Sequence, residues 1–315
     1  MNRLYYFINI LIAVSIFSSC IKEDLSECDF RTEAPLRIAF TYDAELTSGD
    51  LAEMELATVF LYDGNDNFVT LWTIENPRLN QEYSSPISVP PGNYSFVTWF
   101  NLHHPHYSVN PAENDSHSLK PNRRESHFAL ESNSNNEITT RLPLSLHGSL
   151  INSTFTLKDE ERFTIPLYRN SNLINVTLVG LEKTNHQYSV SINDNNGKYS
   201  FENNLLDCDD FSYKSIAGYS DESDFLKASL VVLKLDETRS PALVVKDENT
   251  QTQIFPTSES SLNNIVQMIL KANPNNDFTK NHRYDIEISF DTQMSVSITV
   301  NGWKLNSSNN EIIPD

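Results

Sequence analysis

Apolar and polar positions alternate in short runs along most of the chain, and turn residues separate the runs. A period of two marks strands with one face in a core, because successive side chains of a strand point to opposite faces. Leu36 to Tyr42, Thr58 to Tyr62, Phe68 to Trp72, Ile87 to Val89 and Tyr94 to Trp99 read this way in the first half. Asp63-Gly64-Asn65-Asp66-Asn67 separates two of these runs and predicts a hairpin turn. From Asn101 to Asn136 the pattern lapses into His, Pro, Asn and Ser, which predicts a long loop with at most one short strand at Ser126 to Leu130. Strand-like runs return at 162–167, 172–179, 187–192, 198–201, 229–235, 242–246, 253–255, 284–290 and 295–300. Asn196-Gly197 lies between two of them and predicts a second hairpin. Ser261 to Leu270 has helical spacing, with Ser260 or Ser261 as its cap.

Short strands with polar turns predict an all-β protein built from tandem antiparallel β-sandwich domains. The charged run Lys158-Asp159-Glu160-Glu161 separates two apolar groups and sets the expected division at 34–156 and 157–315.

The first thirty residues follow a different pattern. Arg3, an apolar run from Leu4 to Phe17, and Ser18-Ser19-Cys20 have the grammar of a secretory signal with a cysteine at the cleavage point. The run falls short of the roughly twenty residues that span a bilayer. The expectation is a lipoprotein: 1–19 removed, Cys20 acylated, and 20–33 a tether. Phe17 departs from the aliphatic residue usual three places before such a cysteine. Lys22-Glu23-Asp24 resembles a signal that sends lipoproteins to the outer face of an outer membrane; a solvated tether is the plainer reading.

Charge narrows the partners. A net charge of -19 and a pI near 4.7 exclude nucleic acid, which demands clustered Lys and Arg, and docking on anionic lipid heads through the protein surface. With Cys20 used by lipid, Cys28 and Cys208 either form one bridge in an oxidising compartment or stay as two thiols.

Candidate chemistry is sparse. His103, His104 and His106 are the best metal candidates, but Pro105 breaks their spacing and no further ligand sits nearby. Asp63, Asn65 and Asn67 have a calcium-loop rhythm, yet Phe68 and Ile74 stand where Gly and Glu are needed. Nucleophile elbows, phosphate loops and dinucleotide fingerprints are missing, so no enzyme, cofactor or metal is expected. Trp72, Trp99 and Trp303 fall in alternating strands and are expected in cores. Arg31, Arg141 and Arg162 are read as surface residues.

Taken in order, Cys20 through Cys28, Phe40-Thr41-Tyr42, Val59 to Asn65, Pro91-Gly92-Asn93-Tyr94 and Val97-Thr98-Trp99 resemble the FimB-type fimbrial anchoring subunits, lipoproteins of type V pili. Matches in the second half are Arg169 to Leu178 and Val300-Asn301-Gly302-Trp303. The resemblance implies two transthyretin-like sandwich domains and a non-enzymatic role. It further implies a subunit that attaches a fimbrium to the outer membrane through lipid on Cys20, contacts the fimbrial stalk subunit by strand exchange, and limits fibre length. The competing reading is a surface lipoprotein whose sandwich domains bind a glycan or a host protein.

Overall fold

The structure, a computed structural model, describes residues 32–42, 47–103, 105–110, 121–158, 161–182, 186–219, 225–257, 262–305 and 313–314. The first five strands are β1 (Ala34–Tyr42), β2 (Leu56–Asp63), β3 (Phe68–Glu75), β4 (Glu82–Val89) and β5 (Gly92–Phe100), with a short helix α1 (Ser48–Ala52) between β1 and β2. The expected loop after them holds two strands rather than one, β6 (Tyr107–Asn110) and β7 (His127–Leu130), which pair with each other. Then come β8 (Glu137–Ile138), β9 (Leu146–Phe155) and β10 (Phe163–Arg169).

Strand order β3-β2-β5-β9-β10-β1-β4 makes a seven-stranded sheet. This sheet bends over its own core. Two strands separate β1 from β5 in that order, about 14 Å in a flat sheet, yet the rings of Phe40 and Phe100 meet at 5.3 Å. Leu36, Ile38, Val59, Leu61, Phe96, Ile165 and Leu167 complete the interior. β10 lies in this sheet, beside β1 in parallel, although the charged run had placed it in the second half. A single residue, buried Asn170, separates β10 from β11 (Ser171–Val179), which lies in another sheet.

Beyond it run β12 (Tyr188–Asp194), β13 (Lys198–Ser200), β14 (Phe211–Ile216), β15 (Gly218–Tyr219), β16 (Phe225–Leu233), β17 (Ala242–Asp247) and β18 (Thr252–Phe255). Helix α2 (Ile265–Ala272) follows, then β19 (Arg283–Phe290), β20 (Val296–Val300), β21 (Trp303–Leu305) and β22 (Ile313–Pro314). The order β15-β16-β11-β19-β20-β21-β22 forms one sheet and β18-β17-β12-β14-β8 another. Ile174, Val176, Leu230, Ile286, Val190, Ile192 and Val245 from the two sheets share one core. Asn264, not an earlier serine, caps α2 by accepting from Gln267 N, and Ser260 and Ser261 lie outside the described residues. The fold is therefore all-β and sandwich-like, as the alternation predicts, with parallel pairings at β1/β10, β11/β19 and β14/β8.

The second predicted hairpin does not form. β12 pairs with β14 and β17, whereas β13 leaves for β7. Asn196 is buried and holds Tyr213 Oη through its own Oδ1 at 2.8 Å, so its side chain joins core polar groups instead of capping a turn. Gly197 serves close packing: a Cβ there would come within 2.9 Å of the Phe211 ring.

Exchange of β6, β7 and β13 builds a third core between the two regions. Phe60, Tyr62, Val97 and Trp99, on the outer face of the bent sheet, pack against Tyr107, Phe128, Tyr199, Phe201 and Leu233. Trp99 meets Phe128 edge to face at 4.6 Å, and Phe60 meets Phe201 at 4.6 Å. Such ring pairs add about 0.5–1.5 kcal/mol beyond the area they bury.

Candidate functional site

Cys20, Cys28, Arg31 and the whole leader lie outside the described residues. Among the described residues Cys208 has no disulfide partner; its Sγ donates to the Asn195 carbonyl at 3.0 Å and accepts from Gly197 N at 3.3 Å. Among the described residues, no helix is long and apolar enough to cross a membrane.

The histidines named from sequence do not assemble a centre. His103 and His106 place their rings 6.2 Å apart, and His104 lies outside the described residues. Among the described residues, no three His, Cys, Asp or Glu side chains are placed to hold a metal ion. Asp63 organises a turn: its Oδ1 accepts from Asn65 N at 2.8 Å and from Asn67 N at 2.9 Å. Arg141 is paired with Glu53 at 2.7 Å, and Arg162 is exposed.

Trp72 and Trp99 are buried as expected, but Trp303 is not: 40% of it faces solvent. The reason is local. Asn301 (φ 49°) and Gly302 (φ 81°) form a two-residue hairpin loop between Val300 and Trp303, so β21 lies outside β20. Trp303 borders a groove of about 530 Å³ with Ile269, Ala272, Asn273, Asn276 and Asn301. A second cleft, about 590 Å³, is lined by Asn135, Asn193, Asp194, Asn195 and Asp210. Its Asp194 is already neutralised by Arg239 Nη2 at 2.5 Å.

Sequence reading missed the joints between the two regions. Asp50 of α1 receives Arg169 Nη1 at 2.9 Å, from the end of β10, and Arg283 Nη2 at 2.8 Å, from the start of β19. Burial opposes the charge on Asp50, but hydrogen bonds from Thr47 and the two guanidinium groups outweigh it and lower its pKa. Arg123, which is buried, bonds Asp66 at 2.8 Å and Glu202 at 2.6 Å, latching the β2–β3 turn onto the residues after β13. His147 sits against Trp99 with Nε2 donating to the Phe201 carbonyl at 3.0 Å. Burial lowers its pKa to about 4. His282 is also lowered to about 4, by burial and then by Arg169. No spacing rule announces these contacts, because their partners are up to 233 residues apart.

The accessible features are thus sheet edges and a groove bordered by Trp303 on two closely joined regions, which makes this a protein of the β-sandwich class. The model of one family, described as fimbrillin-A associated anchor proteins Mfa1 and Mfa2, matches residues 25–309. The chain belongs to that family. Among solved structures, the fimbrial anchor protein Mfa2 from Porphyromonas gingivalis is 16% identical with a TM-score of 0.62, and the match covers 86% of this chain and 99% of that one. A candidate polysaccharide-binding protein from Bacteroides thetaiotaomicron is 19% identical with a TM-score of 0.67, covering 87% and 98%. A candidate adhesin from the same organism gives 18% identity and a TM-score of 0.65, covering 89% and 100%. At these identities the likeness establishes the fold. No functionally curated protein matches the sequence.

Proposed function

We propose that this protein is the outer-membrane lipoprotein that holds a fimbrium at its base, with acyl chains on Cys20 as the attachment and a strand-mediated contact to the fimbrial stalk subunit that ends fibre growth. The observation that carries the reading is the match to an anchor family over residues 25–309. It is supported by the leader pattern ending at Cys20. More than one acyl chain makes such an anchor stable, since each buried methylene contributes about 0.8 kcal/mol. Residues 1–19 are the cleaved leader and 20–33 the tether in this scheme, and no catalysis is needed. Replacing Cys20 with alanine tests it. The variant should leave the membrane fraction and cells should shed fimbriae into the medium; a variant that stays with the membrane refutes lipid anchoring.

Glycan binding is the second reading, favoured by one observation: Trp303 is exposed beside Asn273, Asn276 and Asn301. An aromatic face with amide groups around it suits a sugar ring. Binding of the purified protein to a glycan array, lost in Trp303→Ala, would support it.

A further inference from the structure

We propose that β3 is the edge to which another polypeptide adds a strand, and that its occupant is an extended segment of a fimbrial subunit. The identity of the partner rests on the anchoring reading; the choice of edge rests on geometry. Open sheet edges present unpaired N–H and C=O groups, and proteins usually blunt them with short strands, proline, bulges or charge. Among the described residues, the sheets end at β3, β4, β15, β22, β18, β8, β13 and β6. β15, β22 and β8 have two residues each, β13 has three, and β18 and β6 have four. β4 is long, but Pro86 removes a donor from its middle and its register with β1 shifts between Pro35 and Arg37.

Over Thr70–Ile74 β3 has no proline, bulge or charge and pairs regularly with Ala57–Leu61 of β2; its register shifts at the far end, at Val69, and its one charge is the terminal Glu75. Its eight residues, Phe68-Val69-Thr70-Leu71-Trp72-Thr73-Ile74-Glu75, are aromatic, β-branched or leucine except for the last. Asn76 N donates to Glu55 O, and Asn101 N donates to Leu56 O on the opposite side of β2. By the alternation of an antiparallel ladder, Ile74, Trp72 and Thr70 turn their backbone groups towards β2, and Leu71, Thr73 and Glu75 turn theirs outward. The Leu71 carbonyl takes the hydroxyl of Thr70 at 3.3 Å, a local substitute for a strand donor.

The edge is also held in place. Trp72 and Ile74 belong to the core of the bent sheet, and Leu71 packs on the aromatic core behind it. A strand docking there would order little of this protein, which favours affinity. What is offered is a row of backbone groups at strand spacing, so the complementary chemistry is another extended backbone. Exposed Val69 and half-buried Leu71 call for apolar or β-branched residues opposite them.

The test uses the full-length protein in cells that make the fimbrium and lack the wild-type copy. Thr73→Pro deletes an outward N–H while leaving the β2 ladder intact, and Thr73→Lys adds edge charge. Ser88→Lys on β4 is the control. Retained fimbriae and stalk subunit co-purifying with each variant are measured alongside melting temperature. Both Thr73 variants should capture about tenfold less subunit or worse, with unchanged melting and membrane fractionation, while Ser88→Lys behaves as wild type. Hydrogen exchange on the wild-type complex should show Leu71, Thr73 and Glu75 amides newly protected, a readout that stands even if a variant fails to fold. Full capture by Thr73→Pro, loss of capture by Ser88→Lys, or occupation of β3 by a second copy of this chain overturns the assignment. If wild type captures no fimbrial subunit, the anchoring reading fails first and the partner assigned here falls with it.

Discussion

β2 and β11 both lie inside seven-stranded sheets, yet they are buried in opposite styles. Every residue of β2 from Ala57 to Tyr62 is buried, whereas β11 alternates buried and half-buried positions from Asn172 to Val179. One face of β2 looks into the bent sheet's core and the other into the aromatic core shared with Tyr199, Phe201 and Leu233. β11 has a core on one face only. The first region therefore needs the second to cover its outer face, while the second closes most of its own core between two sheets. A strand buried on both sides abandons alternation for a continuous apolar run, as Leu56-Ala57-Thr58-Val59-Phe60-Leu61-Tyr62 nearly does.

The strongest challenge to this asymmetry is Trp99→Ala, which should cost about 3–5 kcal/mol because the ring fills the shared core. Thr177→Ala on the wetter face of β11 should stay within about 0.5 kcal/mol. Chemical denaturation of both variants decides: a cost at Trp99 below that at Thr177 would sink the comparison. Next comes Asp50→Ala, expected to cost about 3 kcal/mol by stranding buried Arg169 without its carboxylate. Here proteolysis across the junction should accelerate before either core opens.

Acid should act on the same joint. His147 titrates at about 4 in the fold and about 6.5 in an unfolded chain, so the unfolded state takes up a proton first as pH falls. Its contribution is complete above about pH 6.5 and is lost on the way down to about pH 4; at pH 5 roughly 2 kcal/mol is gone. Asp50 acts lower. Its pKa is depressed, so its stabilisation is present above about pH 4, the unfolded value, and disappears as the carboxylate protonates below it. Melting curves at pH 7 and pH 5 should differ, and His147→Gln should shrink the difference; an unchanged difference would remove His147 from the account. The smallest effect belongs to the far edge. Gly302→Ala places a side chain at φ 81° and should cost about 1 kcal/mol, with no loss of coupling between the regions.

Much of this architecture was legible as alternation: β1, β2, β3, β5, β11, β12, β16 and β19 fall close to where the period of two places them. What escaped was pairing. Asn196-Gly197 and Asn301-Gly302 are the same dipeptide, but only the second makes a hairpin, with both residues at positive φ. Asn196 is claimed by Tyr213, a contact that depends on a core not visible locally. β6 escaped because a four-residue strand beside a run of His and Pro carries too few positions for a period to show, whereas β7 falls where a short strand was expected. Trp303 was misplaced because alternation specifies two faces without saying which side of the sheet is wet. The candidate edge at β3 was visible only as a run of strand formers; its place at the end of a sheet, among the described residues, is a property of strand order.

Asn170 has a mechanical consequence. One residue joins β10 to β11, so the two regions are linked near one side of the bent sheet, close to β1 and away from β3. A tether leaving β1 at Ala34 and a fibre held on β3 would load the pairings β1–β10, β10–β9, β9–β5, β5–β2 and β2–β3 in series, all within one sheet. The second region would then stand beside the line of tension, bracing β2 and β5 from behind like a splint while bearing little of the pull itself.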